Sequence, residues 1–389
     1  MKLIRTIATV GIGAFCIERF VDEDSGRCQF LVVYDCGKGR RNSTSKALKN
    51  IIDQELSICG KPVDFLFLSH FDNDHVNGLS YLLHSGLVNS TYTRVFLPLI
   101  QAPYLFLYEY INNLHYIESV NFLKQHGIKI IFVKPDKQLG EEQMREEVYH
   151  DSELFSGSET IESYTPLILP NSVNAFWKYV PFYLEDNGIY NAFLAHVCHN
   201  NKYGVTQKDF HKFLLWPDYQ KTWLKNMYKQ FRYNKRLPFI GVSPINMNAM
   251  LLISDKTEEA KIQGTYILNA NFSDEVNVTN PLGCSALYTS DIGLNNQRYF
   301  NRVSGAIQNY IVYQRAGLFQ IPHHASIHCY NSDTFQIMPF DMAFCNCKRF
   351  STNPTYCIQY ELDAITYGKP YAIVDDNPAN KLEEEIVIR

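Results

Sequence analysis

Apolar positions in this chain fall into short runs at its two ends and into a mixed pattern between them. The N-terminal part predicts strands over 3–19, 29–35, 62–69 and 93–98, with amphipathic helices near 44–56 and 74–84 where apolar residues recur three and four apart. The C-terminal part repeats the alternation: strand 284–290, helix 295–312, strands 317–322 and 341–346, helix 356–366 and strand 370–375. Alternating strands and helices predict layered α/β packing. The stretch 101–263 reads differently. It begins helically from Tyr104 to His126, passes through strand-like Ile128–Val133 and turns acidic over Glu141–Glu147. We therefore expect one unit built from 1–100 and 264–389, interrupted by a mixed, partly helical insertion or cap at 101–263. No repeat of solenoid period is evident.

Three of the predicted strands end on metal-type ligands. The run Val63, Phe65, Leu66, Phe67, Leu68 empties into Ser69-His70-Phe71-Asp72-Asn73-Asp74-His75. Clustered carboxylates repel one another unless a cation neutralises them, and His with Asp is a donor mixture that zinc or manganese accepts. A capping role for Asp74 ahead of Val76, Leu79, Leu82 and Leu83 is the alternative for this segment alone. Downstream, Cys284–Ser290 leads to Asp291, and Gly317–Pro322 leads to His323 and His324. All three groups fall at strand C-terminal ends, where open α/β sheets place their sites.

These motifs resemble the metallo-β-lactamase fold superfamily, and within it the ComEC-like hydrolases, whose best-known members accompany DNA uptake. The family's His-x-His-x-Asp-His becomes His70-Phe71-Asp72-Asn73-Asp74-His75, with Asp72 where ComEC-like members also carry Asp. Thr289-Ser290-Asp291 is similar to the family's Thr-Gly-Asp, and Pro322-His323-His324-Ala325-Ser326 to its Pro-His-His-Gly-Ser. Val10–Phe15 resembles a Val-Gly-Gln-Gly-Asp turn, and Leu31–Gly37 the family's Ile-Asp-x-Gly. The resemblance covers 1–100 and about 264–376. It implies an αββα sandwich of the metallo-β-lactamase type.

The same resemblance implies two divalent ions, Zn or Mn. His70 and Asp72 would hold one, Asp74 and His75 the other, with Asp291 bridging and one of His323 and His324 completing the set. A metal-activated hydroxide would then be the nucleophile, because a bound cation lowers a water's pKa from 15.7 toward about 7. Asp74 is the candidate catalytic residue, and an Asp in place of the second His makes the first site richer in oxygen, tilting it toward manganese. Lys38, Arg40 and Ser326 are candidate substrate contacts, with Arg41 adding charge beside them. The chain also departs from the family. Ser351-Thr352-Asn353-Pro354-Thr355 stands where a later His-Pro is expected, and no histidine follows His328. The second metal site is therefore expected to be weaker or completed by another group. Ser290 and Ala325 replace glycines, which would alter the backbone path if glycine's freedom were needed. His196 and His199 read as ordinary polar residues of the insertion.

From Lys202 to Arg236 the insertion is basic: Lys202, Lys208, Lys212, Lys221, Lys225, Lys229, Arg232, Lys235 and Arg236 stand against Asp209 and Asp218. Tyr203, Trp216, Tyr219, Trp223, Tyr228 and Tyr233 are interleaved. Cations tracking phosphates with rings for base stacking would make a single-strand nucleic-acid surface, with Lys221, Lys225 and Lys229 as contacts. An amphipathic cap with rings packed inward gives the same pattern.

With 389 residues and 46% hydrophobic side chains the chain can bury a large core. The net charge of −4 excludes no partner, since local patches rather than totals steer a polyanion. No signal-peptide layout and no apolar run of transmembrane length is visible, so a cytoplasmic protein without the channel of the DNA-uptake relatives is expected, with no membrane partner. Ten cysteines are then read as buried thiols. Cys345-Asn346-Cys347, on a strand whose successive side chains face opposite sides, is read as a poor chelate; Cys36 beside Asp35 is also read as structural. The sequence thus points to a metal-dependent phosphodiesterase or nuclease acting on DNA or RNA. Hydrolysis of a small phosphoester, cyclic nucleotide or lactone, and a degenerate metal-binding partner module, are the alternatives. Oligomeric state is not legible.

Overall fold

The computed structural model describes all residues except 40–43, 101–104, 106–114, 137–156, 169–175, 186–187, 201, 207–208, 211–215, 235–247, 272–282 and 353–354, together with the side chains of 188–190 and 232–234. Sixteen strands are described: β1 (Lys2–Ile7), β2 (Cys16–Val21), β3 (Cys28–Tyr34), β4 (Phe65–Phe67), β5 (Arg94–Pro98), β6 (Lys129–Val133), β7 (Glu159–Ile161), β8 (Leu167–Ile168), β9 (Trp177–Leu184), β10 (Ala249–Lys256), β11 (Ile262–Asn269), β12 (Ala286–Tyr288), β13 (Ala316–Gln320), β14 (Phe340–Asn346), β15 (Tyr371–Val374) and β16 (Leu382–Ile388). They form two sheets, one of order β11-β16-β1-β2-β3-β4-β5-β6-β7 and one of order β15-β14-β13-β12-β10-β9-β8. Each sheet is antiparallel on one side and parallel on the other.

The buried residues sort into three layers. Leu3, Phe20, Phe67, Trp177, Met250, Leu252, Tyr288, Leu318 and Phe344 come from both sheets and fill the space between them. On the outer face of the first sheet, Leu31, Val33, Leu66 and Val95 pack against Leu48, Ile52 and Leu56 of the helix Lys46–Leu56 and against Val120 and Leu123 of Tyr116–Gln125. The outer face of the second carries Tyr299, Phe300, Val303 and Ile307 of the helix Gln297–Tyr310 and Tyr360 and Ala364 of Gln359–Thr366. The layer order is helix, sheet, sheet, helix, the αββα sandwich the sequence motifs led us to expect.

Local chemistry places the helix starts. Ser45 accepts from the Leu48 N–H and Asn296 from the Arg298 N–H, so each helix begins on a side-chain cap ahead of an apolar stripe.

Four expectations need correction. The strand expected over 3–19 is two antiparallel strands, β1 and β2, joined by a loop at 8–15. The boundaries of the expected insertion, 101–263, do not coincide with the edge of the sandwich: β6 and β7 extend the first sheet, while β8, β9 and β10 are three of the seven strands of the second. Their apolar runs are sheet interior, and only the sequence distance between them made the stretch look separate. What lies outside the sheets includes the helices Gly188–His199 and Asp218–Asn234. Third, Cys345 on β14 and Cys347 just past its end are two apart and share a side; both are buried, with sulfurs 3.2 Å apart. Fourth, β16 was not expected at all, yet it pairs with both β1 and β11. Of the helix expected from Tyr104 to His126, Tyr116–Gln125 is described and the earlier part falls outside the described residues, as does the acidic run Glu141–Glu147.

Candidate metal centre

The parallel strands of both sheets end at one place. β4 continues into Ser69 and His70, the one-turn helix Asn73–Val76 carries Asp74 and His75, β12 continues to Asp291, and β13 to His323 and His324. Asp72 occupies the N-cap position of that turn without a side-chain capping bond, and Asp74 lies inside it, so capping does not account for either carboxylate.

Asp291 is the hub. Its Oδ1 lies 3.2 Å from His75 Nε2 and 3.8 Å from His324 Nε2, and its Oδ2 3.8 Å from His70 Nε2 and 3.7 Å from His323 Nε2. Asp74 Oδ2 is 3.2 Å from His324 Nε2, and Asp72 Oδ2 is 3.8 Å from His70 Nε2. Two groups of three follow, His70–His75–Asp291 and Asp74–His75–His324, each with donor atoms within 4.8 Å of one another. The grouping differs from the expected one: His75 belongs to both, His324 stands with Asp74, and Asp72 and His323 belong to neither.

Each imidazole is held by its other nitrogen. His75 Nδ1 is 2.8 Å from Asp35 Oδ2, His324 Nδ1 2.9 Å from the Asn346 carbonyl and His323 Nδ1 3.3 Å from Cys329 Sγ. His70 Nδ1 lies 3.0 Å from both Ser69 Oγ and Ser290 Oγ. At His75 and His324 the partner is an acceptor, which keeps a proton on Nδ1 and directs Nε2 toward the cluster. The Nε2 atoms of His70, His75 and His324 are buried and form no well-aligned hydrogen bond; they only face carboxylate oxygens at 3.2–3.8 Å. Buried polar atoms without partners are uncommon, and a cation is what three converging lone pairs beside a carboxylate would satisfy. The residues present therefore fit the divalent ions that the motifs imply.

The electrostatics favour positive charge at this place, which protons on His75 and His324 supply when no cation is bound and which a cation would supply in their stead. Burial alone would raise the Asp291 carboxyl, but His75, His323 and His324 hold it well below the usual carboxylate range. Burial likewise opposes the ionised form of Asp74, and His324 with His75 draws it down. Burial would lower His75, yet Asp291 and Asp35 keep it well above an ordinary imidazole; His324 is raised in the same way, while burial lowers His323.

The backbone is unusual where the ligands sit. Asp35, Ser290, His323, His324 and Ala325 all have φ between 50° and 56°. Ser290 and Ala325 thus keep a path that glycine would take more easily instead of altering it, and such conformations concentrate at functional sites. Gly37 is required sterically: a Cβ there would meet the Asp74 carbonyl carbon at 2.2 Å. That close approach lets the Cys36 N–H donate to the His75 carbonyl (2.8 Å) and the Ala14 N–H to the Asp74 carbonyl (3.0 Å).

Asp35, Ser69, Ser290, Asn346 and Cys329 were not foreseen in these roles. A signal existed only for Asp35, which follows an apolar strand as Asp291 does. The substrate candidates fare unevenly. The Lys38 ammonium donates to the Val10 carbonyl at 3.0 Å, and burial lowers its pKa. Ser326 is wholly buried, and its hydroxyl accepts from the His328 N–H in a tight turn. Arg40, Arg41, Asn353 and Pro354 lie outside the described residues.

Lys221, Lys225 and Lys229 follow one another at four-residue spacing on the helix Asp218–Asn234. That helix buries Leu224, Tyr228 and Phe231, with Phe193 5.0 Å from the Tyr228 ring and 5.5 Å from that of Phe231. Tyr203 and Trp223 meet edge to face, and Phe210 lies 5.2 Å from Trp216. Most of the expected stacking rings are therefore packing rings; Tyr219 stays exposed. His196 rests on Phe231, away from the ligand cluster.

No protein-family model matches the chain, and no curated protein matches it by sequence. Among solved structures, a long-form RNase Z from yeast is similar over 82% of this chain and 32% of that one, at 10% identity and a TM-score of 0.34. The chain spans only a minor part of that protein, and a likeness at this level decides nothing about activity.

Proposed function

We propose that this protein is a metal-dependent hydrolase of phosphodiester bonds, with nucleic acid as its substrate class. The observation that carries the reading is the convergence on Asp291 of four imidazole Nε2 atoms, each with its Nδ1 anchored. Zinc or manganese bound there would supply Lewis acidity to a water and to a phosphoryl oxygen. His70, His75 and His324 would present neutral nitrogens, Asp291 would join the two groups of ligands, and Asp74 would supply the second anionic oxygen. Asp72, whose side chain retains 23% exposure, is the ligand nearest to solvent and faces an arriving substrate. The lysine row 221, 225 and 229 would track a phosphate backbone. We place the reaction in the cytoplasm, in keeping with ten free cysteines.

The inward packing of Tyr228, Trp223 and Trp216 favours a second reading, hydrolysis of a small phosphodiester with the helical pair as cap. Turnover of linear DNA, linear RNA and a chromogenic phosphodiester by protein reloaded with manganese or zinc distinguishes the two. Cleavage of polymer well above the small ester supports the first; activity on the small ester alone supports the second. Absence of hydrolysis by fully loaded protein would leave a metal-binding partner module.

A further inference from the structure

We propose that Ser290 is a positioning residue of this centre, tying the ligand strand of one sheet to that of the other. The inference rests on the metal-site reading above. Its hydroxyl lies 2.6 Å from Ser69 Oγ, and 221 positions separate the two residues. The hydrogen-bond directions follow from one fixed acceptor. Asp35 Oδ1 takes the Ser69 N–H at 2.8 Å, and Oδ2 takes the Ser69 hydroxyl at 2.7 Å. With its own proton committed to Asp35, Ser69 must accept from the Ser290 hydroxyl. Ser290 Oγ then has lone pairs only for His70, 3.0 Å away, so the His70 Nδ1–H donates into this pair of oxygens. The relay fixes both the tautomer and the tilt of the ring, and turns Nε2 toward Asp291.

The backbone of residue 290 is pinned as well. Its N–H donates to Gln320 Oε1 at 3.1 Å, and its carbonyl accepts the His323 N–H at 3.0 Å. One residue therefore touches the loops that carry His70, Asp291 and His323. It does so at φ 54°, in the left-handed region that glycine occupies without cost and serine does not. The hydroxyl is what serine adds to glycine at this position, and it is fully engaged.

Two variants separate function from folding: Ser290→Gly, which removes the hydroxyl and relieves the backbone, and Ser290→Ala, which removes the hydroxyl alone. Manganese and cobalt affinities are measured by titration of chelator-stripped protein, beside the melting temperature of the stripped protein and the cobalt absorption spectrum. Loss of an outer hydrogen-bond partner weakens metal binding by about tenfold or more. We expect that loss in both variants, with an altered cobalt spectrum and a Ser290→Gly melting temperature equal to or above that of the wild type. Wild-type binding that both variants match within twofold overturns the role of Ser290 and leaves the metal centre standing. A Ser290→Gly protein that loses melting temperature along with affinity makes the residue merely structural. Stripped wild-type protein that binds neither ion removes the centre itself, and the inference with it.

Discussion

Two clusters of charged side chains are buried in this sandwich, and they are built on opposite principles. Between the sheets, Arg5 donates to Glu18 at 2.7 Å, to Glu384 and to the Cys284 carbonyl at 3.3 Å. Glu18 accepts in addition from Tyr288 and Ser254, both at 2.7 Å, and from Tyr179. Donors meet acceptors there, and burial without a partner ion is tolerable because the hydrogen bonds close on one another at every named atom but Glu384 Oε1. At the strand ends the imidazoles are closed on the outer side and open on the inner, where the Nε2 atoms of His70, His75 and His324 make no well-aligned hydrogen bond and face carboxylate oxygens at 3.2–3.8 Å. A buried polar cluster that satisfies itself is scaffold. One whose lone pairs converge is a ligand site.

The contrast breaks most sharply at Asp74. Asp74→Asn keeps the shape and removes an anionic ligand, so turnover should fall by about three orders of magnitude, since each 1.4 kcal/mol of lost barrier lowering is tenfold and a metal route supplies several. Hydrolysis, bound metal and melting temperature on one preparation check this. Full activity in the folded variant would place the chemistry elsewhere, and inactivity at unchanged metal content would make Asp74 a proton acceptor.

Arg5→Met should do the reverse. It leaves Glu18 buried without its cation and should cost about 3–5 kcal/mol of stability, read by urea unfolding, while the folded fraction retains its metal affinity. If metal affinity falls as much as stability, the two clusters are not separate devices.

Charge reversal at Lys221, Lys225 and Lys229 touches neither cluster. Each lost phosphate contact removes about one unit from the slope of log affinity against log salt, so nucleic-acid binding should weaken and flatten while small-ester turnover survives. Unchanged binding returns the helix to a cap.

The smallest effect is a pH dependence of the scaffold cluster. Burial, opposed by Arg5, pushes Glu384 up to about 7 from an ordinary value of 4.5. The folded state then holds a proton that the unfolded chain releases, so stability is highest below 4.5 from this group and declines as pH rises toward 7. Glu384→Gln should abolish that decline, read as a flat stability from pH 5 to 8 by urea unfolding. An unchanged slope of stability between pH 5 and 8 would show that Glu384 stays ionised.

The candidate ligands were legible because each sits beside the apolar run that delivers it. His70, Asp72, Asp74 and His75 follow β4 directly, and His323 and His324 follow β13. Their supports were hidden because hydrogen bonding pairs residues far apart: nothing near Ser69 announces Ser290, and nothing near His324 announces the Asn346 carbonyl. β16 hid for another reason. Its inward positions are Leu382, Glu384, Ile386 and Ile388, and a glutamate at a core position reads as a polar break unless Arg5 is known to meet it. The expected insertion failed at its edges because β9 and β10 are local apolar runs whose sheet membership only long-range pairing decides.

The central claim is that the open cluster holds divalent ions. Chelator-stripped wild-type protein and Asp291→Asn should be titrated side by side with manganese and with zinc, and bound metal counted after dialysis. The account predicts up to two ions in the wild type, with a rise in melting temperature on loading, and loss of both signals in a folded Asp291→Asn protein. Wild-type protein that remains free of metal at saturating manganese and zinc, or an Asp291→Asn variant that binds as the wild type does, would contradict it.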